Sequence, residues 1–430
     1  MSMNFATLPN LVALAVLVAV FWAISRKATG EQVRLWLIGW ALVLMHFAAS
    51  FPAFSSAALS RLATAVSVDC LILAGVAFLI SVSFDVSRSR SPWILLAIAI
   101  AVPAVAYTNA LIWDIASPNY YYFLTVIGTL APLLVFLRYH EHGKVYAAGS
   151  IVATVAAAVY MVWKIAHGEP ELGVTLILAA LNFSIAVLYW NHRRRVSAGV
   201  LTAVAGFALW GAVFPSALLM RILEPSIRVE SEVWNIPKYL VAVGMILTLL
   251  EDQILKSTYL AYHDELTNLP NRRLLEDRLD RALAQVRRMG GKVAIFVLDL
   301  DHFKEVNDTF GHRVGDFALR EVVARLSGRI RSSDTLARSG GDEFTIVSHV
   351  PSGEAAKALL SSLEAALLEP LVIESKEVRI GVSIGLALYP DAGSDADQLC
   401  AAADRAMYAA KKAGRTSEPA IAFRQPASRV

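Results

Sequence analysis

The first 250 residues are dominated by long apolar stretches separated by short polar loops. Nine such stretches can be counted, each roughly 17–23 residues and therefore long enough to cross a bilayer as a helix. The first has no basic segment before it and is followed by further spans, which favours a retained membrane helix over a cleaved signal peptide. The stretches cover residues 8–25, 35–54, 62–83, 93–113, 119–137, 145–166, 172–190, 198–220 and 234–250.

Basic residues are concentrated in every second loop, ten on one side against five on the other. The positive-inside rule assigns the richer side to the cytoplasm. We therefore expect the amino terminus outside and residue 251 in the cytoplasm, whereas an eight-span count would put the carboxyl-terminal region outside. The ten residues are Arg26, Lys27, Arg34, Arg88, Arg90, Arg138, Lys144, Arg193, Arg194 and Arg195.

Composition supports a division of the chain into two regions. The 430 residues are 56% hydrophobic and only 17% charged, which is too apolar for a single soluble chain of this length. The excess is confined to residues 1–250, while residues 251–430 have the composition and length of a globular domain. Cys70 and Cys400 lie in different regions, so an internal disulfide framework is excluded. The net charge of +3 gives no indication of a nucleic-acid polymer as partner.

Residues 251–263 join the two regions. Apolar residues recur here at helical spacing without Gly or Pro, which predicts a helix continuing from the last apolar stretch. Such a helix could pair with its copy in a dimer. Because it is shorter than two heptads, a plain linker helix is the simpler interpretation.

The region from residue 264 alternates helix-like and strand-like segments, which predicts an α+β domain with a mostly antiparallel sheet. The unbroken apolar run at 293–298 is typical of a buried strand. Gly340-Gly341 lies between two short apolar runs and indicates a β-hairpin. The other predicted elements are a helix to about residue 288, a short helix after 301, helices at about 316–330, 353–369 and 395–413, and strands near 371–374 and 377–388.

Two adjacent carboxylates, Asp342 and Glu343, follow the Gly-Gly pair, and Asp299 ends the buried run before them. We expect Asp342 and Glu343 at the tip of the hairpin. Neighbouring carboxylates are costly unless a cation or a proton lies between them, and carboxylate oxygens are ligands that Mg²⁺ prefers. From this stretch alone, a metal site and a solvated turn both remain open.

Several separate motifs follow one another within residues 258–416. They are Asp299-Leu300-Asp301-His302-Phe303-Lys304, Asn307-Asp308, Phe310-Gly311-His312, Gly315-Asp316, Gly340-Gly341-Asp342-Glu343-Phe344, Tyr408-Ala409-Ala410-Lys411 and Gly414-Arg415. In order and spacing this set resembles the GGDEF family of diguanylate cyclases. One position departs from the family, because Thr416 stands where the family usually has Asn.

The resemblance implies an enzyme that condenses two GTP molecules into cyclic di-GMP and two pyrophosphates. Mg²⁺ or Mn²⁺ is the implied cofactor, held by Asp299, Leu300, Asp342 and Glu343. The implied catalytic residues are Asp299, Asp342 and Glu343, with Asp342 either a second-metal ligand or the base for the 3′-hydroxyl. The alternative for Asp299 is a solvated carboxylate at a strand end.

Phosphate binding is implied at two places. The backbone N–H groups of His302 and Phe303 open a short helix after the strand, where they can donate to phosphate oxygens. Lys411 and Arg415 lie four residues apart on one face of the last helix and resemble the pair that holds the terminal phosphate in the family. The alternative for this pair is a favourable interaction with the helix dipole.

Base recognition is implied at Asn307 and Asp316, which resemble the guanine-reading pair of the family. A carboxylate can accept hydrogen bonds from guanine N1–H and N2–H₂, whereas adenine offers no matching donors at that edge. The alternative for Asp316 is the N-cap of a helix.

The segment Arg331-Ser332-Ser333-Asp334 ends six residues before Gly340. The family has its RxxD inhibitory site at this position, so Arg331 and Asp334 are the implied binding residues for the product, cyclic di-GMP. Taken alone, the pattern is equally an Arg at a helix end followed by an Asp at a strand start.

In chain order we expect a polytopic sensor region of about nine helices at 1–250, a linker helix at 251–263, a palm-like, nucleotidyl-cyclase-like GGDEF domain at 264–416 and a tail at 417–430. The expected location is the bacterial cytoplasmic membrane. The expected partners are lipid, GTP, cyclic di-GMP and a second copy of the chain. The alternative functions are an idle GGDEF domain acting as a cyclic di-GMP receptor or scaffold, and a transporter regulated by its cytoplasmic domain.

Two ionisable residues, His46 and Asp69, fall inside neighbouring apolar stretches at similar depth. An ionisable group in hydrocarbon needs a partner or a water-filled cavity. We therefore expect His46 and Asp69 to pair in an outward-facing pocket, unless each is satisfied locally by a hydroxyl or a backbone carbonyl.

Overall fold

The protein is described by a computed structural model, in which the chain divides into two compact units, Met1–Asp252 and Gln253–Val430. Each unit has its own hydrophobic core. The described residues are 2–3, 8–26, 30–83, 91–139, 144–193, 196–223, 231–373 and 376–414.

Among these residues, nine long helices begin in the first unit, one for each apolar stretch predicted above. They are α1 (Leu8–Ser25), α2 (Glu31–Ser50), α3 (Ala57–Ser83), α4 (Ser91–Ile112), α5 (Pro118–Tyr139), α6 (Lys144–Ala166), α7 (Leu172–Arg193), α8 (Ala198–Leu223) and α9 (Ser231–Tyr262), with a short ladder between β1 (Ser2–Met3) and β2 (Pro52–Ala53). Within the described ranges, six of the nine helices (α1 to α4, α7 and α8) are long and apolar enough to cross a membrane. The nine-span topology stays a prediction. Helix α9 includes residues 251–262, so the linker segment is helical as its spacing predicts.

Aromatic side chains fill the core of the first unit, and glycines allow close contact between two of its helices. Trp36, Trp40 and Phe207 are completely buried. A side chain on Gly206 of α8 or on Gly244 of α9 would collide with the backbone of the facing helix. Small residues at such contacts are typical of helix pairs in membranes, where they let the two backbones approach closely.

The predicted pair between His46 and Asp69 is wrong. His46 Nδ1 lies 2.9 Å from both the hydroxyl and the carbonyl oxygen of Ser67 on the neighbouring helix. The Asp69 carboxylate accepts hydrogen bonds from Asn109 Nδ2 at 2.9 and 3.0 Å and from the Thr108 hydroxyl at 3.3 Å. Each group has its own polar partners, so the local alternative is the one observed.

The second unit is an α+β domain, as predicted. Its elements after α9 are α10 (Arg272–Met289), β3 (Lys292–Asp301), α11 (Phe303–Phe310), α12 (His312–Ser327), β4 (Thr335–Arg338), β5 (Glu343–Val350), α13 (Gly353–Leu368), β6 (Leu371–Ile373), β7 (Lys376–Val378), β8 (Gly381–Tyr389) and α14 (Ala396–Gly414). Strands β4, β5, β3 and β8 form, in that order, a four-stranded antiparallel sheet. The apolar strand β3 is therefore central, which explains why it has no polar face.

Two predicted boundaries differ from the structure. Helix α12 begins at His312, because Gly311 with a φ of 85° separates it from α11. Asp316 is thus inside the helix, and its interpretation as an N-cap is wrong. The predicted strand at 377–388 is two strands, since β7 pairs with β6 in a separate hairpin and β8 pairs with β3. The sequence run alone does not show which partner each part pairs with.

The alternation of side chains along β3 decides on which face the candidate residues lie. Even-numbered residues of this strand pack with α12 and α13, whereas odd-numbered residues pack with α10 and α14. Successive side chains of a strand point to opposite faces. Asp299 is odd-numbered and therefore lies on the α14 face, at the end of the strand.

Gly385 of β8 lets α14 lie close against the sheet. A Cβ atom there would collide with the Ala403 carbonyl oxygen and the Met407 backbone nitrogen. Backbone atoms in the middle of a helix cannot move individually, so this glycine sets the distance between helix and sheet. Lys411 follows Met407 by about one helical turn, so the same contact positions Lys411.

We expect Gly385→Ala to push α14 away from the sheet and to destabilise its docking by about 1–3 kcal/mol, the usual cost of overpacking. Hydrogen–deuterium exchange of the purified full-length protein should show faster exchange of α14 amides. Gly353→Ala is the matched control, because a Cβ there meets only Leu388 Cδ2 at an ordinary 3.5 Å. Equal protection of α14 in both variants would contradict the close contact at Gly385.

Candidate active site

Asp299 and Glu343 face each other across two neighbouring strands. The antiparallel register of β3 and β5 pairs Asp299 directly with Glu343. Residues paired in this way point to the same face of the sheet, with Cβ atoms about 4.5–5.5 Å apart. Asp299 is only 8% exposed, whereas Glu343 is exposed at the start of its strand. Two carboxylates therefore converge at this end of the sheet, on the face that α14 covers.

The hairpin that carries Glu343 has a loop formed by residues 339–342. Strands β4 and β5 pair as the Gly-Gly signal predicts. Asp342 lies in the loop. Glu343 is the first residue of β5, directly beyond the last β4–β5 pair, Arg338 with Phe344, and its backbone already pairs with β3. The N–H groups of Ser339 and Gly340 lie 3.0 and 3.4 Å from the Glu343 carbonyl oxygen, to which both donate.

Of the two loop glycines, only Gly340 has a neighbour close enough to conflict with a side chain. A Cβ atom on Gly340 would lie 2.8 Å from Glu343 Oε2, whereas Gly341 has open space around it. The absence of a side chain at Gly340 therefore lets the Glu343 carboxylate fold back against the loop. The linear pattern does not distinguish these roles.

Burial and neighbouring charges favour protonation of the Glu343 carboxylate. Partial burial raises the pKa of Glu343, the charges of Asp299, Asp342 and Asp404 raise it further, and Lys411 opposes them. The Lys411 ammonium donates a hydrogen bond to Asp299 Oδ1. Asp404 was not among the predicted residues. It lies on α14 about two turns before Lys411, and only the docking of that helix brings it near the strand ends.

Arg338 ties the hairpin loop to the turn that begins the domain. Its Nη1 donates to Asp264 Oδ1 at 2.9 Å, and its Nε and Nη2 donate to the Gly341 carbonyl oxygen at 3.1 and 2.5 Å. Burial alone would raise the pKa of Asp264, but hydrogen bonds from Thr267 and Arg338 outweigh it and lower the pKa. The sequence did not reveal this contact, because its partners are 74 residues apart.

The residues implied in phosphate binding lie around the same strand end. Helix α11 begins at Phe303, directly after β3, with His302 as its N-cap. The Phe303 side chain is buried in the core, and His302 Nδ1 lies 2.7 Å from Glu305 Oε1. The first N–H groups of a helix have no acceptor within the helix, so the backbone is the part of this turn that can receive an anion. Arg415 lies outside the described residues.

The structure brings Asn307 and Asp316 to one place. A Cβ atom on Gly315 would collide with Asn307 Oδ1, so the Asn307 amide lies against α12 at the residue next to Asp316. Asp316 is exposed on the second turn of that helix. An amide and a carboxylate thus lie together at the junction of α11 and α12.

Arg331 and Asp334 close a turn between α12 and β4. The Arg331 N–H donates to Asp334 Oδ2 at 2.9 Å, and the Asp334 N–H donates to the Arg331 carbonyl at 3.0 Å. Asp334 Oδ1 is buried and finds no hydrogen-bond partner in the described part of the chain, while Arg331 is exposed. Four residues of β4, about 13 Å of extended strand, separate this turn from the hairpin loop.

Comparison with known proteins places these features in one family. Residues 261–417 match the family model described as diguanylate cyclase, GGDEF domain. The bifunctional diguanylate cyclase/cyclic di-GMP phosphodiesterase MucR of Pseudomonas aeruginosa is 33% identical over 274 residues, which cover 62% of this chain and 40% of MucR. The diguanylate cyclase TpbB of the same organism is 36% identical over 179 residues, which cover 41% of each chain. The crystal structure of the TpbB GGDEF domain matches this chain with 38% sequence identity and a TM-score of 0.34. The match covers 34% of this chain and 92% of the chain in that structure.

The second unit is therefore a GGDEF domain, and through it the chain belongs to the GGDEF family. The predicted resemblance and the predicted fold class are confirmed. The chain spans about two-fifths of the length of the two curated relatives named here.

We expect Glu343→Gln to stabilise the hairpin at neutral pH when nucleotide and divalent cations are absent. Because the folded-state pKa of Glu343 is raised, its contribution to stability is complete below the usual value of 4.5 and is lost as the pH rises through the folded-state value. Amides of β5 should exchange more slowly in the variant than in the parent protein at neutral pH, and equally below pH 4.5.

Glu354→Gln serves as the control for this measurement, because Glu354 lies in the first turn of α13 rather than among the strand-end carboxylates. Equal exchange of β5 in Glu343→Gln and the parent at both pH values would contradict a repulsive carboxylate cluster.

Proposed function

We propose that this chain is a membrane-anchored diguanylate cyclase, which converts two GTP molecules into cyclic di-GMP and two pyrophosphates. The observation that supports this most directly is the opposed pair Asp299 and Glu343, with the Lys411 ammonium beside it, at the strand ends of a GGDEF domain. Acidic groups that need a cation and a basic group that can meet phosphate are what phosphoryl transfer requires.

The reaction consists of two equivalent steps. In each, the 3′-oxygen of one GTP forms a bond to the α-phosphorus of the other, and the bond from that phosphorus to the bridging oxygen breaks. Pyrophosphate leaves with the electron pair. The proton of the 3′-hydroxyl passes to a nearby base, for which Asp342 in the hairpin loop is the candidate.

The residues present fit a divalent cation held jointly with the nucleotide. Within the described ranges, no group of three or more His, Cys, Asp and Glu side chains forms a self-contained metal site. Mg²⁺ usually takes only one or two protein carboxylates and completes its shell with phosphates and water. Asp299 and Glu343, with Asp342 and the Leu300 carbonyl, would hold Mg²⁺ or Mn²⁺ here. The bound ion would supply positive charge to the reacting phosphates.

The remaining residues of the site bind and select the nucleotide in this proposal. The N–H groups of His302 and Phe303 receive phosphate oxygens at the start of α11. The Lys411 ammonium, together with Arg415, binds the terminal phosphate and leaves Asp299 as it does so. The exposed Asp316 carboxylate and the Asn307 amide read the guanine edge, because their acceptors match its donors.

A second copy of the chain is the partner that the reaction needs, since each domain offers one such set of groups and two GTP molecules must meet. Exposed apolar side chains near the end of α9 support pairing of this helix with its copy. Ile254 and Leu255 are 64% and 45% exposed, and Tyr259 and Leu260 are 46% and 40% exposed. Burying them in a dimer would remove apolar surface from water.

The bias of basic loop residues supports a cytoplasmic GGDEF domain, where GTP is present. In this arrangement the helices of the first unit anchor the enzyme in the bacterial cytoplasmic membrane and regulate it. The alternative is an idle domain that only binds cyclic di-GMP. Whether the purified protein forms cyclic di-GMP from GTP distinguishes the two functions.

We expect Glu343→Gln to abolish formation of cyclic di-GMP from GTP and Mg²⁺ by the purified full-length protein, because loss of a metal-ligand charge removes several kcal/mol of transition-state stabilisation, roughly a 10²–10⁴-fold loss of rate. The nucleotide products are identified by mass spectrometry. Glu354→Gln, remote from the strand ends, should retain the parental rate. Parental turnover in folded Glu343→Gln would refute the assignment, and absence of product from the parent would favour the receptor alternative.

We expect Arg331→Ala to relieve inhibition by cyclic di-GMP without changing the initial rate. The exposed guanidinium of Arg331 offers a donor fork to the product, away from the strand-end carboxylates. Initial rates are measured over a series of added cyclic di-GMP concentrations. Arg329→Ala, which changes the same residue type two positions earlier, is the control. Equal inhibition of Arg331→Ala and the parent would argue against this site.

A further inference from the structure

The first unit contains a cavity of about 170 Å³ bounded by α3, α4, α5, α6 and α7. An engineered protein cavity of about 150 Å³ lined by apolar side chains holds benzene. The cavity here therefore has room for a molecule of roughly six to ten non-hydrogen atoms.

Small residues and a proline inside a helix line this space. Pro103 lies inside α4 and cannot donate to the carbonyl of the preceding turn, which disturbs the regular helix at the cavity wall. Gly128 of α5 lies against it, since a Cβ atom there would be 3.2 Å from Pro103 Cβ. On the opposite side, α6 presents Ala157 and Ala158 to the cavity. The short side chains leave a volume that larger apolar residues would fill.

The chemistry of the walls excludes a charged occupant. Among the described residues that line the cavity there is no Asp, Glu, Lys, Arg or His. Transfer of an isolated ion from water into such surroundings is very costly. A neutral and mostly apolar molecule, which can also reach the cavity from the lipid phase, pays no such cost.

Hydroxyl groups in the wall give the cavity a polar preference. Thr125 and Thr129 donate to carbonyl oxygens of their own helix at 2.8 and 2.6 Å, and Tyr107 donates to the Pro170 carbonyl at 2.9 Å. The protons of these three hydroxyls are thus already used, while each of their oxygens retains acceptor capacity. The hydroxyls of Thr154 and Ser184 also line the cavity. A ligand that brings its own donor is the complementary partner.

We propose that this cavity binds a neutral, mostly apolar molecule of about six to ten non-hydrogen atoms that carries one hydroxyl-type hydrogen-bond donor. This site goes beyond the nucleotide chemistry of the second unit and does not depend on it. Binding is therefore measured without GTP, so that failure of this proposal and failure of the proposed function are distinguishable.

The test uses radiolabelled benzyl alcohol and equilibrium dialysis of the detergent-purified full-length protein against matched empty micelles. We expect saturable binding of one molecule per chain. Benzoate, which has a similar size but a negative charge, should show no saturable binding. Toluene, which lacks the hydroxyl, should bind about two- to tenfold more weakly, the effect of one hydrogen bond.

Two neighbouring alanines of α6 provide matched variants. Ala157 lines the cavity, whereas Ala156 is exposed on the outside of the unit. Ala157→Leu should abolish saturable binding by filling the space, and Ala156→Leu should leave it unchanged. Size-exclusion chromatography checks that both variants remain folded.

Thr125→Val keeps the shape of the wall and removes one acceptor, so it tests the site even if Ala157→Leu fails to fold. The variant should bind benzyl alcohol about two- to tenfold more weakly than the parent and should bind toluene with the parental affinity. Identical binding to Ala157→Leu and Ala156→Leu, both folded, would overturn the proposal. Saturable binding of benzoate would overturn it as well, as would a co-purified lipid that benzyl alcohol cannot displace.

Discussion

The mutual repulsion of Asp299 and Glu343 is the constraint on which the architecture of the GGDEF domain depends. Their strands pair them directly, so their Cβ atoms stay neighbours as long as the sheet is intact. Like charges in this position are destabilising unless a cation or proton compensates. In this structure the Lys411 ammonium compensates Asp299, and the pKa of Glu343 is raised. The arrangement therefore lowers the stability of the folded domain at neutral pH.

Other features of the domain hold this unfavourable pair in place. Gly385 allows the helix with Lys411 to approach the strands, and Gly340 leaves room for the folded side chain of Glu343. Arg338 fixes the adjoining loop to Asp264 through a largely buried ion pair, with side chains 12% and 25% exposed. By contrast, an exposed ion pair such as that of Arg281 contributes little, because water and salt screen it.

The first unit handles its polar groups in a different way. His46 and Asp69 are each satisfied by hydroxyl, amide or carbonyl groups on a neighbouring helix rather than by each other. This removes the charge pair that the sequence suggested as a sensory element. The cavity next to Pro103 and Thr125 has no such charged groups among the described residues of its wall.

Local patterns in the sequence determined the order of elements, the buried strand, the hairpin and the acidic motif, because periodicity and turn residues act over a few neighbouring positions. They did not determine that Glu343 begins a strand opposite Asp299, that Asp404 approaches the same site, or that Arg338 reaches Asp264. These contacts join residues from different elements, and they depend on strand register and on how closely α14 packs on the sheet. Register and packing arise only when side chains distant in the chain fill a common core, so the tertiary structure alone decided them.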